Sequence, residues 1–192
     1  GTFLASRPRP FRSRRALSAI CWDSISTRAL GTSMGLALHR AGHQIRFTDL
    51  IPENAVLAAA RIESADFEGK ADLFVSALPS DLVGEDISRA QKLNLAHMFI
   101  DVASIKTKVQ QNVKSFGDEI SFCGTHPMAG SERSGPVAAR SDLFEGRAWV
   151  YTPSERTQNS LVEIVEEVIA DCGALPIRMT PLEHDSAVAA VS

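Results

Sequence analysis

The sequence predicts an α/β fold, a mostly parallel sheet with helices on both faces. Three observations predict it. Short apolar runs of strand character recur at residues 73–78, 98–102, 120–124, 148–152 and 175–179. Between them lie stretches with apolar residues at helical spacing, as in Leu161, Ile164, Val165, Val168 and Ile169. Repetition of strand then helix argues for parallel neighbours joined by crossovers. Finally, 192 residues with 44% hydrophobic content suit one domain with a sizeable core.

Taken in order, residues 1–15 carry Arg7, Arg9, Arg12, Arg14 and Arg15 without an acid. They read either as a transit-like or anion-binding arm or as an unfolded or artefactual tail. Residues 16–22 form the expected first strand. Residues 32–41 follow as a helix (Met34, Ala37, Leu38, Ala41) closed by Gly42. A dinucleotide loop asks for glycines at i, i+2 and i+5 between such a strand and helix. Gly31 fills the third place, but Ser26 and Arg28 fall on the first and second. A side chain at the second obstructs approach to a pyrophosphate, so nucleotide binding by the loop is an open expectation.

Residues 44–49 read as the second strand, with Ile45 and Phe47 on one face. Asp49 lies 18 residues after Gly31, near the spacing of the acid that accepts hydrogen bonds from a ribose. A carboxylate there repels a 2′-phosphate and favours NAD over NADP; the alternative is a turn aspartate before Pro52. An alanine-rich helix is expected over 52–61, then a buried strand over 73–78 ending at Pro79, whose end faces a dinucleotide in a doubly wound sheet. Helix 81–93, strand 98–102 and amphipathic helix 105–116 (Ile105, Val109, Val113, Phe116) come next. Strand 120–124 delivers a loop holding His126. Strand 148–152 precedes a helix with Ser160-x-x-Glu163 as its capping box and Gly173 as its C′ residue. After strand 175–179, Pro181 opens a last helix. The expected organisation is an arm over 1–15, a dinucleotide-binding domain over 16–180 and the start of an interdomain helix over 181–192.

The densest cluster of chemistry is Thr125-His126-Pro127-Met128-Ala129-Gly130-Ser131-Glu132-Arg133-Ser134-Gly135. Pro127 restrains its own φ and pushes His126 towards an extended backbone. With residues 101–106 (Asp-Val-Ala-Ser-Ile-Lys) and the run from Leu182-Glu183-His184-Asp185 to Ser192, this segment resembles the prephenate/arogenate dehydrogenase family of tyrosine biosynthesis. Order and spacing agree over roughly residues 29–192.

That resemblance implies a Rossmann-like fold and NAD-dependent oxidative decarboxylation of prephenate or arogenate. It implies His126 as the base that polarises the substrate's ring hydroxyl, a task suited to a neutral imidazole. Ser104 would hydrogen-bond near that hydroxyl and the nicotinamide; its plainer reading is an N-cap for helix 105–116. Glu132 would arrange the pocket and Arg133 would attract an anionic substrate, or both are solvated loop residues. Cofactor contacts fall to Gly31, Asp49, Pro79 and Ser104. His184 is read as structural, Asp142 and Glu145 as surface residues. A homodimer, completed by a C-terminal helical domain, is implied for the full-length protein. The chain begins with Gly and stops inside a helical pattern, which reads as an incomplete chain with little turnover of its own.

A net charge of −3 suggests neither nucleic acid nor membrane as partner, and no apolar run approaches the ~18 residues of a membrane span. Cys21, Cys123 and Cys172 lack CxxC pairing and read as free thiols of a reducing, cytoplasmic compartment. His39 and His43 flank a helix end and His97 precedes a strand, and no metal is expected. Two other readings stand beside the enzyme. One is a chain that keeps the fold without binding a dinucleotide, favoured by Ser26 and Arg28. The other is a β-hydroxyacid dehydrogenase, disfavoured because that class places a lysine base on a later helix.

Overall fold

The computed structural model describes residues 20–24, 29–49, 52–60, 62, 69–129 and 139–191. Its strands are β1 (Ile20–Ser24), β2 (Ile45–Asp49), β3 (Ala71–Ser76), β4 (Ala96–Asp101), β5 (Phe122–Pro127), β6 (Ala148–Thr152) and β7 (Leu175–Arg178). The helices are α1 (Ala29–Arg40), α2 (Pro52–Ala60), α3 (Val83–Lys92), α4 (Thr107–Phe116), α5 (Asn159–Asp171) and α6 (Pro181–Val191). The strands form one sheet in the order β2-β1-β3-β4-β5-β6-β7. From β2 to β5 all neighbours are parallel; β6 runs antiparallel to β5 and β7 parallel to β6. The expected doubly wound, Rossmann-like sheet is therefore present, with a reversal of direction after β5. The order turns back on itself between β1 and β3, the place where such sheets open a crevice at their carboxyl edge.

Period-2 alternation in the strands sorts side chains to the two faces. Leu73, Val75 and Ile100 join Met34, Leu38, Trp149, Leu161 and Val165 in one buried cluster, under α1 and α5. Phe74 and Phe99, one residue out of step, join Val83, Ile87, Val109 and Val113 in the other, under α3 and α4. Each such side chain, removed from water, contributes roughly 1.5–3 kcal/mol before conformational entropy is charged. At the far edge, β7 is exposed along its length and carries Pro176, a residue tolerated where a strand lacks an outer partner.

Several element ends differ from expectation, for identifiable reasons. Helix α4 begins at Thr107, two residues later than the apolar spacing suggests, and Ile105 and Phe116 are each 44% exposed. The stripe that holds the helix down is Val109 and Val113. Ser104 thus lies before the cap and is not the N-cap; the α4 amides of Lys106 and Thr107 donate instead to the Asp185 carboxylate of α6, at 2.8 and 2.9 Å. Helix α5 starts at Asn159 with no side-chain cap, so Ser160 and Glu163 do not form a capping box. The capping box sits on α6: Glu183 accepts from the Thr180 N–H at 2.8 Å, and the Glu183 N–H donates back to the Thr180 hydroxyl. Gly173 does close α5, with a φ of +75°. Strand β5 runs on to Pro127, so His126 belongs to the strand itself. His97 lies within β4.

Helices α3 and α4 touch closely because Gly84 has no side chain. A Cβ there would stand 2.9 Å from Asn112 Cβ and 3.2 Å from the Asn112 backbone carbon. Gly84→Ala gains roughly 0.5–1 kcal/mol of helix propensity, but overpacking against a backbone atom costs roughly 1–3 kcal/mol. The substitution is expected to lower the unfolding free energy by about 1 kcal/mol, read as a lower denaturant midpoint at unchanged m. A midpoint at or above that of the unsubstituted protein would show that the two helices separate without penalty.

Candidate active site

The carboxyl ends of β3, β4 and β5 build the site around one ion pair. Asp101, the last residue of β4, and Lys106, just before α4, have fully buried side chains and contact each other directly. A buried pair stabilises only when its remaining donors and acceptors are satisfied. Here they are. Asp101 Oδ2 also accepts from the Ala103 N–H at 2.9 Å, and Oδ1 accepts from the Thr125 N–H at 3.1 Å. Lys106 Nζ donates to the Thr125 carbonyl at 2.6 Å, while the Thr125 hydroxyl donates to the Asp101 carbonyl at 2.5 Å. Burial pushes Asp101 up and Lys106 down from their ordinary values, and each partner's charge works against that shift. Gly124 leaves the room: a Cβ there would meet Thr152 Oγ1 at 2.7 Å and Lys106 Cδ at 3.3 Å.

The pair therefore grips the backbone N–H and C=O of Thr125, the residue before His126. His126 is half-buried and pairs across the sheet with Val150 of β6. Its Nδ1 lies 2.9 Å from Nε2 of His184, with the rings edge to face at a centroid separation of 5.1 Å. His184 is 1% exposed, and its Nδ1 lies 2.8 Å from Asp185 Oδ1. Sequence reasoning treats His184 as structural; the fold sets it against the predicted base. Burial, then the Lys106 ammonium and His184, push His126 down to about 4, with Asp185 working the other way. The imidazole is neutral at physiological pH. Burial acts to raise Asp185, but the Lys106 and Thr107 donors outweigh it and hold the carboxyl at about 2.

The other predicted residues divide. Ser104 is exposed, three residues past the end of β4, on the same carboxyl edge as His126. Gly31 is buried in the first turn of α1, a turn without an acidic residue. In that turn Thr32 Oγ1 is buried and has no hydrogen-bond partner among the described residues. An acid-free helix start with a spare hydroxyl fits an anionic group such as a pyrophosphate. Asp49 closes β2 in register with Ser24 of β1, beside the switch point. Pro79 is exposed, three residues beyond β3. Ser26, Arg28, Glu132, Arg133 and the arm over residues 1–15 lie outside the described residues. Lys106 and Asp185 were missed by the sequence reading, although both stand within the motif segments that it singles out. Cys123 and Cys172 are buried free thiols, burial first raising Cys123 to about 12. Among the described residues no cluster of His, Cys, Asp or Glu is placed to hold a metal ion, and no helix is long and apolar enough to cross a membrane.

Residues 34–177 match the family model described as prephenate dehydrogenase, nucleotide-binding domain. A probable prephenate dehydrogenase of Streptomyces niveus is 35% identical over 173 residues, which are 86% of this chain and 46% of that protein. The prephenate dehydrogenase of Bacillus subtilis is 29% identical over 178 residues, 85% of this chain and 47% of that one. The chain spans about half the length of the curated relatives it matches. Among solved structures, Synechocystis arogenate dehydrogenase superposes with a TM-score of 0.80 at 25% identity, over 91% of this chain and 64% of that one. The fold is also that of Aquifex aeolicus prephenate dehydrogenase in complex with hydroxyphenyl propionate and NAD+, with a TM-score of 0.78 at 22% identity over 91% and 64% of the two chains.

Two outcomes follow from the geometry. Lys106→Met strands a buried carboxylate and is expected to cost roughly 3–5 kcal/mol in denaturant unfolding, far more than a surface lysine. A loss under 1 kcal/mol would show that water or another cation reaches Asp101. The folded value of His126 lies below its ordinary 6.5, so the folded state binds its proton less readily than the unfolded state. Its contribution is thus fully present above pH 6.5 and is lost as pH falls towards about 4. Imidazole NMR is expected to find His126 neutral at pH 6; a midpoint at or above 6.5 would overturn this reading.

Proposed function

Because the chain belongs to the prephenate dehydrogenase family, we propose that the protein catalyses NAD-dependent oxidative decarboxylation of prephenate or of its amino relative arogenate. The observation that carries the reading is the neutral imidazole of His126, held by the Asp101–Lys106 clamp at the carboxyl edge of the sheet. A substrate hydroxyl must lose its proton as the ring carbon loses hydride, so a base is needed within about 3 Å of that oxygen. His126 supplies it. Ser104 orients the hydroxyl and lines the cofactor side of the pocket, while Arg133 attracts the substrate's carboxylates and Glu132 arranges the loop beside it. Aromatisation of the ring then drives loss of carbon dioxide, so no separate group is needed to expel it.

Gly31, Asp49, Pro79 and Ser104 would hold the dinucleotide, which supplies the hydride acceptor when bound. The buried Gly31, the acid-free first turn of α1 and the unsatisfied Thr32 hydroxyl support an anion there. Asp49 beside β1 favours NAD, because a carboxylate accepts from a ribose 2′-hydroxyl and repels a 2′-phosphate. The organisation proposed is a dinucleotide-binding domain over 16–180 followed by a connecting helix, working in a cytoplasmic homodimer.

A second reading keeps the fold without the cofactor, because Ser26 and Arg28 stand where two glycines are expected. NAD titration separates the two: saturable binding at micromolar concentration supports the enzyme, and none at millimolar concentration supports the second. In the full-length protein, His126→Asn is expected to lower kcat with prephenate or arogenate by ~10²–10⁴-fold while KM for NAD stays nearly constant. NADP is expected to serve at least about 10-fold less well than NAD, the equivalent of roughly 1.4 kcal/mol. Undiminished turnover by the His126 variant would remove the base from this site.

A further inference from the structure

We propose that His184 acts with His126 as one proton-accepting unit: His126 takes the hydroxyl proton on Nε2 and hands the proton on its own Nδ1 to His184, whose charge then faces Asp185. The inference rests on the reading of His126 as the base. It assigns a working role to two residues of α6, a helix that sequence reasoning treats as a structural connection.

The hydrogen-bond pattern fixes where the protons are. Asp185 accepts from the backbone amides of Lys106 and Thr107 at 2.8 and 2.9 Å. Amides only donate, so the carboxylate is held ionised, in keeping with its value of about 2. Nδ1 of His184, 2.8 Å from Asp185 Oδ1, must then carry a hydrogen. A neutral His184 consequently presents a bare Nε2 to Nδ1 of His126, 2.9 Å away. That contact is a hydrogen bond only if His126 Nδ1 carries its hydrogen, which leaves Nε2 of His126 as the free lone pair. These tautomers follow from the network of donors and acceptors. They put the basic nitrogen of His126 on the side away from His184, where a substrate hydroxyl can reach it.

With one more proton the same contacts admit a second arrangement. His126 carries hydrogen on Nε2 and a bare Nδ1, while His184 is the cation, donating from Nε2 to His126 and from Nδ1 to Asp185. The two arrangements are the states before and after proton abstraction. The substrate O–H bond breaks and leaves its electron pair on oxygen as hydride departs from carbon. An Nε2–H bond forms on His126, its Nδ1–H bond breaks, and an Nε2–H bond forms on His184. Asp185 gains no proton; it faces the positive charge, as the carboxylate of a Ser-His-Asp triad does.

The electrostatics explain why one imidazole is not enough. Burial, and then the nearby Lys106 ammonium, push His126 down to about 4, which makes it a weak base at neutral pH when it must keep the charge itself. Moving the charge one ring further takes it to His184, whose Nδ1 is bonded to the Asp185 carboxylate. Among the described residues, the charged groups that act on the unit are Lys106, with its partner Asp101 at the end of β4, and Asp185 from α6.

The first test needs no activity and so separates this inference from the proposed reaction. In full-length protein labelled with nitrogen-15 histidine, NMR near pH 7 without substrate is expected to find His126 protonated on Nδ1 and bare on Nε2. The opposite tautomer overturns the inference, whether or not the protein turns over prephenate. The second test is kinetic. His184→Gln is expected to lower kcat by ~10²-fold with KM for prephenate within about threefold. It is also expected to change the solvent-deuterium dependence of kcat from a two-proton to a one-proton form. A kcat within twofold of the unsubstituted enzyme, or an unchanged deuterium dependence, overturns the proposal. Should the variant not fold, the tautomer measured in the unsubstituted protein decides.

Discussion

The buried contact between Asp101 and Lys106 is the constraint on which the site depends. Parallel pairing of β4 with β5 is registered at Phe99 with Phe122 and at Ile100 with Cys123, and stops there. Two residues further along β5, the ladder is replaced by side chains. Asp101 accepts from the Thr125 amide and Lys106 donates to its carbonyl. The peptide groups of Thr125 thus keep partners after the strand that served β5 has turned away. On its other side β5 remains paired with β6, including His126 with Val150. His126 therefore stands on a backbone held from both sides, at a point where the sheet has already opened to make a crevice. Two full charges in a site this dry are expensive to bury, and their use is to carry strand-like order beyond the last strand pair.

The same pair sets the chemistry as well as the geometry. Burial disfavours imidazolium most, and the nearby ammonium adds to it, so the group that grips Thr125 also helps to keep His126 neutral. Asp185 exerts the opposite influence from α6. A carboxylate that caps α4 through Lys106 and Thr107 is tied to the start of the helix whose preceding residue is the clamp's own lysine. Capping, clamping and titration share three residues. A change at any of them moves fold and reactivity together.

Much of this was legible in the sequence. The apolar runs located every strand to within a few residues, and the motif around His126 pointed to the family that the chain belongs to. What local pattern could not give is partner choice. Asp185 reaches Lys106 and Thr107 across 79 and 78 residues, so the spacing that suggested Ser104 as the cap of α4 was competing with a contact invisible along the chain. Ser160-x-x-Glu163 and Thr180-Pro181-Leu182-Glu183 both satisfy the capping-box pattern, and only the second closes one. In the second, Pro181 at the first helical position fixes the entry that the box requires. Lys106 falls inside the expected helix 105–116, next to its first apolar residue, Ile105. Its burial becomes intelligible only once Asp101, from the preceding strand, is beside it.

Burial of His184 follows from the same accounting of partners. A histidine that is 1% exposed must satisfy two ring nitrogens without water. Asp185 takes one and His126 the other, so neither imidazole can change its proton arrangement alone. A lone buried histidine would be a fixed structural element. A pair joined nitrogen to nitrogen, with an anion at one end and an open lone pair at the other, has two arrangements that differ by one proton. The fold holds both imidazoles in place for either arrangement, one on a strand locked by the clamp and the other on a helix locked by its capping box.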